Sequence, residues 1–148
     1  MNLQPGTELR LAPRPMTRER MRWYVDIQET VQVDDGRIHT QPPTIHDDDA
    51  YAKKQGLPGI ISDGMITTNW IHGLLVDAFG PAAAGKGQLR TKYIAPIYED
   101  QVVVTCARVT AVNHTASGET AVALDVWCED DTGKKLTVGD ALVHLPAS

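Results

Sequence analysis

The run from His39 to Phe79 sets groups suited to proton transfer beside one suited to stabilising a developing anion. In chain order it carries Gln41, His46, the acid run Asp47-Asp48-Asp49, a turn at Leu57-Pro58-Gly59, and Asp63-Gly64 at the mouth of a long apolar stretch. Imidazole titrates near neutral pH, so His46 is the candidate to take a proton from water or from a carbon acid. A backbone N–H at a helix N-terminus meets a charged oxygen with both a hydrogen bond and the positive end of the helix dipole. Gly64 suits that place, because without a side chain it lets a carbonyl approach. Each residue also has a plainer role: His46 as a satisfied core histidine on a loop, Gly64 as relief of crowding between Ile60-Ile61 and the helix. Asp63 is either an acid at the helix mouth or the N-cap of the helix, a role Ser62 can share, and one carboxylate can do both. Gln41 can hold a water through its amide but accepts no proton at physiological pH. His39, His114 and His144 have no comparable setting, and His72, on the apolar stretch, reads as a hydrogen-bonded structural residue.

The elements that must position these groups follow from periodicity. Asp47 or Asp48 can cap a short helix from Ala50 to Gln55, with Gly56 in the C′ position. That capping role accounts for most of the acid run, since acids so close in sequence converge on a metal only if ligands arrive from elsewhere. From Gly64 to Phe79, apolar residues fall at 65, 66, 70, 71, 74, 75, 78 and 79, close to the i, i+3, i+4 rhythm, and Gly80-Pro81 ends the pattern. A helix there is about 24 Å long at ~1.5 Å per residue. Apolar on most of its circumference, it is expected to be buried and to need a sheet around it. Gln88–Ile94, Gln101–Asn113, Thr120–Glu129 and Lys135–Leu145 supply that sheet through alternation and β-branched residues, with tight turns between them that imply an antiparallel meander. Upstream, Thr7–Leu11 reads as a short edge strand broken by Pro13 and Pro15, and Thr17 as the N-cap of a helix carrying Met21, Trp23, Tyr24 and Ile27. Glu29 to Thr40, with a turn signal at Asp34-Asp35-Gly36, is assigned no element. Trp23, Tyr24 and Trp70 fit plain core better than a ligand pocket.

Composition narrows the class. The 148 residues, 42% of them hydrophobic, fit one domain, 1–148, of α+β type. The net charge of −5 is spread along the chain, which argues against nucleic acid as a partner. No window is long and apolar enough for a transmembrane helix, and the start lacks the basic and apolar regions of an export signal, so a cytoplasmic, membrane-free protein is expected. Cys106 and Cys128 are then expected as buried thiols rather than a disulfide, and the Asn113-His114-Thr115 triplet carries no meaning without secretion.

Two stretches carry a resemblance to a known family. Gln41-Pro42-Pro43-Thr44-Ile45-His46, followed by Gly64-Met65, is similar to the Asp-x-Asn-Pro-(Ile/Leu)-His loop and Gly-Met helix start of the MaoC-like hotdog proteins, whose better-known members are R-specific enoyl-CoA hydratases. Tyr93-Ile94-Ala95-Pro96-Ile97-Tyr98-Glu99-Asp100 resembles that family's aromatic-x-x-Pro-(Val/Ile)-x-Gly-Asp stretch, with Glu99 in place of glycine. The likeness runs from about Pro5 to Pro146, and its specificity lies in the order of short motifs. It implies a hotdog domain and hydration of a 2-enoyl thioester, or dehydration of the 3-hydroxyacyl product. His46 would be the general base and Gly64 the oxyanion donor, with Gln41 and Asp63 orienting or shuttling. Coenzyme A or phosphopantetheine would be part of the substrate; no cofactor or metal is implied. A homodimer with its acyl tunnel between subunits is expected. Gln41 stands where the family has an acid, which leaves open a hotdog thioesterase or a non-catalytic acyl-thioester-binding protein.

Overall fold

A computed structural model describes residues 3–30, 43–116 and 118–147. Gln41, His39 and the unassigned segment after Thr30 lie outside the described residues. In chain order the elements are β1 (Glu8–Arg10), β2 (Arg14–Pro15), α1 (Arg18–Thr30), α2 (Asp49–Lys54), α3 (Gly64–Phe79), α4 (Pro81–Gly85), β3 (Gln88–Tyr93), β4 (Val102–His114), β5 (Thr120–Asp130) and β6 (Lys135–Leu145). Among the described residues they form one antiparallel sheet of order β1-β4-β5-β6-β3, with β2 also on β4. Wrapped around α3, it is the α+β hotdog arrangement expected from the sequence.

Alternation decides which sheet residues meet the helix. Thr105, Cys128 and Thr137 lie opposite one another on β4, β5 and β6, and Val109, Leu124, Ala141 and Leu89 form a parallel row reaching β3. All but Leu89 are buried. Ile66, Thr67, Ile71, Leu74 and Leu75 press onto this face from α3. The opposite face carries Arg108, Asp125, Asp140 and Arg90 in register. There Trp127 is covered by two cations, the Arg108 guanidinium and the Lys135 ammonium, 5.6 and 4.8 Å from its ring. Strand β3 reaches β6 only because residue 139 is glycine: a Cβ there would stand 1.9 Å from the Arg90 carbonyl oxygen.

Several expectations change. Burial of α3 is one-sided, since Met65, Asn69 and His72 are exposed along a stripe; an apolar composition does not say which face a sheet covers. His72 therefore belongs to the surface. Trp23 is 62% exposed, because Met21 and Val25 take the core side of α1. Tyr24 and Trp70 pack, partly buried, against the core as expected, and with Trp23 they also line a groove between α1 and α3. Pro81 ends one helix and, being suited to the first helical position, opens another. Arg14–Pro15 adds a two-residue strand at the sheet edge, where proline is tolerated. Cys106 and Cys128 are free and buried. Their register partners, Trp127 and Thr105, put them on opposite faces of the sheet, so they cannot bridge.

Candidate active site

The histidine loop is built from short side-chain-to-backbone bonds, and each residue of the acid run has a different task. Asp47 accepts from the Thr44 N–H and Oγ1, each at 2.8 Å. Asp48 caps α2 by accepting from the Tyr51 N–H at 2.7 Å, so of the two capping candidates it is Asp48 that serves. Asp49 accepts from the Ile60 N–H at 3.2 Å through one oxygen and from Arg18 Nη2 at 2.8 Å through the other. The carboxylates thus point to separate partners. Among the described residues no three His, Cys, Asp or Glu side chains are grouped to hold a metal.

Residues 45–46 are stitched to 60–62. The Ile61 N–H donates to the Ile45 carbonyl at 3.0 Å, and His46 Nδ1 lies 2.9 Å from the Ile61 carbonyl oxygen. A carbonyl only accepts, so Nδ1 carries the proton and Nε2 is the nitrogen left for chemistry. Nε2 lies 4.0 Å from Asp63 Oδ2. Asp63 Oδ1 meanwhile accepts from the Met65 N–H at 2.8 Å and caps α3. The two expected roles are therefore divided between its two oxygens. Ser62 does not cap: its hydroxyl donates to the Asp63 carbonyl at 2.9 Å.

At the first position of α3 the Gly64 N–H has no carbonyl one turn back to receive it. The space over Gly64 belongs to Tyr93, at the end of β3: an added Cβ would come within 2.6 Å of the ring. The glycine therefore relieves crowding, as the plainer reading held, but against Tyr93 rather than Ile60-Ile61. Tyr93 is held by hydrogen bonds of its hydroxyl to Thr68 Oγ1 at 2.8 Å and to Met65 Sδ at 3.2 Å. His46, Ser62, Gly64, Tyr93, Ile94 and Thr137 share a cavity of about 480 Å³, walled otherwise mainly by apolar residues. Thr67 supports its floor, donating to the Gly64 carbonyl at 2.7 Å and meeting Thr137 Oγ1 at 2.9 Å.

Electrostatics distinguish three groups that lie outside the cavity lining. The Arg18 guanidinium, with help from the Ile60 N–H, holds the Asp49 carboxyl below the usual carboxylate range. Burial pushes the Cys106 thiol up to about 11 and Cys128 to about 12, so neither offers a thiolate nucleophile at neutral pH.

The structure brings His46, Asp63 and Gly64 together, while Gln41 lies outside the described residues. In the sequence Tyr93 stands within the aromatic-x-x-Pro stretch, which by itself gives it no place in the site. Its signal was the aromatic residue closing a strand ahead of the Ala95-Pro96 turn, and only the fold shows that it meets Gly64.

The profile of the MaoC like domain matches residues 3–128, most of the chain. The chain belongs to the MaoC-like domain family. Solved structures agree with that membership in fold. The (R)-hydratase from A. caviae involved in PHA biosynthesis superposes with a TM-score of 0.72 at 19% identity, covering 98% of each chain. The MaoC-like dehydratase from Rhodospirillum rubrum gives 0.75 at 17% identity, covering 99% of this chain and 95% of that one. The C-terminally truncated HadBC (3R-hydroxyacyl-ACP dehydratase) complex from Mycobacterium tuberculosis gives 0.68 at 14% identity, covering 97% and 99%. No protein of curated function matches the sequence. As a MaoC-like domain, the chain places its histidine, helix mouth and strand-end aromatic on the walls of one cavity. Among the described residues no helix is long and apolar enough to cross a membrane.

Proposed function

We propose that this MaoC-like protein is a hydro-lyase that adds water to a 2-enoyl thioester and, in reverse, dehydrates the 3-hydroxyacyl thioester. The observation that carries the proposal is the shared cavity, in which His46, its proton fixed on Nδ1 by the Ile61 carbonyl, opens Nε2 beside the helix mouth at Gly64. The thioester carbonyl lies against the Gly64 N–H. His46 Nε2 takes a proton from water as the water oxygen bonds to C3, and the C2–C3 π electrons move toward the carbonyl oxygen. The resulting enolate charge falls at the positive end of α3. Return of the proton to C2 completes addition of one water, and the thioester bond stays intact. Asp63 Oδ2 steadies the imidazolium formed midway. Gln41, which stands at the acid position of the family motif, orients the water without accepting its proton.

The acyl group is carried on coenzyme A or on phosphopantetheine, which are parts of the substrate. A second copy of the chain completes the site. The exposed stripe of α3 and the outer edge of β3, at the end of the sheet order, are surfaces that pairing covers. Light scattering tests this: a monomer of 16.2 kDa that turns over substrate overturns the shared tunnel.

Enoyl-CoA and 3-hydroxyacyl-CoA thioesters of graded length, followed by mass for gain or loss of water and by thiol release, test the reaction. Hydration without thiol release is the expected result, and thiol release in its place identifies a thioesterase. If neither reaction occurs, Gln41→Asp, which restores the acid of the family loop, is the second measurement: hydration gained there means the natural protein binds acyl thioesters without converting them.

A further inference from the structure

We infer that Arg18 is a positioning residue for His46, acting through Asp49 and Glu99; the inference rests on the hydratase reading above. Arg18 opens α1, far in sequence from the site, yet its guanidinium spans both sides of it. Nε and Nη2 reach the two oxygens of Glu99 at 2.8 and 2.5 Å, a bidentate pairing, and Nη2 also reaches Asp49 Oδ2 at 2.8 Å. Asp49 passes the restraint inward, because its other oxygen accepts from the Ile60 N–H and the next carbonyl, that of Ile61, is the one holding His46 Nδ1. Glu99 passes it to the opposite side, since Tyr98 pairs with Ile61 and the Ile97 carbonyl accepts from the Ser62 N–H at 2.8 Å. The bonds close a ring: histidine loop, residues 60–62, residues 97–99, Arg18, Asp49, and back to the loop.

Two features separate this ring from an ordinary surface ion pair. The three side chains are 34 to 42% exposed, so each pair adds little to stability, whereas a planar fork holding two carboxylates fixes geometry well. Glu99 also stands where the family stretch carries glycine, so one anchor of the ring is a feature of this chain. A general base displaced by a fraction of an ångström loses rate before the fold loses stability.

The test compares Arg18→Gln, Arg18→Lys and Glu99→Gly in the full-length protein. Arg18→Gln is expected to lower kcat about tenfold with KM within about twofold and the unfolding midpoint within about 4 °C of wild type. Arg18→Lys should recover part of kcat, because an ammonium meets one carboxylate where the guanidinium meets two. Glu99→Gly should give a smaller loss than Arg18→Gln, since Asp49 keeps its partner. Nitrogen NMR of the His46 ring, taken without substrate, should show one neutral tautomer, protonated at Nδ1, in wild type and a mixture in Arg18→Gln. Unchanged kcat and tautomer in Arg18→Gln overturn the inference, as does a kcat loss that Arg18→Lys leaves unrelieved. If Arg18→Gln does not fold, Glu99→Gly decides by the same readings. If wild type converts no thioester, the hydratase reading falls by itself and the tautomer ratio alone judges the positioning role.

Discussion

The two walls of the cavity are built on opposite plans. On the histidine side, Thr44, His46, Asp47, Asp48, Asp49 and Asp63 each hold a backbone group of residues 44–65 by hydrogen bonding. On the other side Tyr93 and Ile94 are 46 and 50% exposed, apolar in bulk, and tied mainly through one tyrosine hydroxyl. Proton transfer needs a nitrogen fixed to within tenths of an ångström, whereas an apolar chain needs contact area and some give. Under the proposed hydratase function, the contrast would put the chemistry on one wall and contact with an acyl chain or a second subunit on the other. Substitutions should be felt as activity on the first wall and as stability or affinity on the second.

The strongest break comes at His46. His46→Asn should leave the circular dichroism spectrum and unfolding midpoint near wild type and lower turnover by roughly 10²-fold or more. A loss of only a few-fold would move the chemistry off this wall. Next is Asp63, where the divided roles of its oxygens allow a cleaner separation. Asn caps helices as well as Asp, so Asp63→Asn should keep the Met65 bond and stability while losing the charge beside His46 Nε2, for a fall in kcat of about tenfold. Asp63→Ala should show the same kinetic loss and a further cost of about 1 kcal/mol in denaturant unfolding. Equal stability in the two variants would mean that the cap contributes nothing.

Gly64 lies where the walls meet. Gly64→Ala drives a methyl into the Tyr93 ring and should cost roughly 1–3 kcal/mol of stability together with activity. Adding Tyr93→Ala should restore most of the stability. Activity that returns with it would show that Gly64 serves packing alone; activity that stays low would favour the approach of a carbonyl to the amide.

The same contrast explains what could be read from sequence. The span of α3 was legible because its cap, apolar rhythm and terminating Gly80 are all local, and the strands because alternation is local too. The Asp48 cap and the Gly56 turn at the end of α2, where φ is 87°, are likewise local signals. His46 could be singled out by order of motifs, but the carbonyl that fixes its tautomer could not. Arg18 meeting Glu99, and Tyr93 covering Gly64, join positions far apart in the chain, and nothing at either end announces the other. The exposed stripe of α3 stayed hidden for a related reason: periodicity reports an apolar face, and the rest of the molecule decides whether anything covers it.

The smallest expected effect is the most direct check on the softer wall. Tyr93→Phe removes the hydroxyl that joins Thr68 and Met65 while keeping the ring over Gly64. These bonds are exposed, and water can replace them, so the loss should be at most about 0.5–1 kcal/mol. Turnover should stay within about threefold, because the ring and not the hydroxyl bounds the helix mouth, and KM should carry most of any change. Removing a single hydrogen-bonded group should thus have little kinetic consequence on this wall and a large one on the histidine wall. A kcat loss for Tyr93→Phe as deep as that for Asp63→Asn would abolish the distinction and place the tyrosine hydroxyl among the groups that touch the reacting atoms.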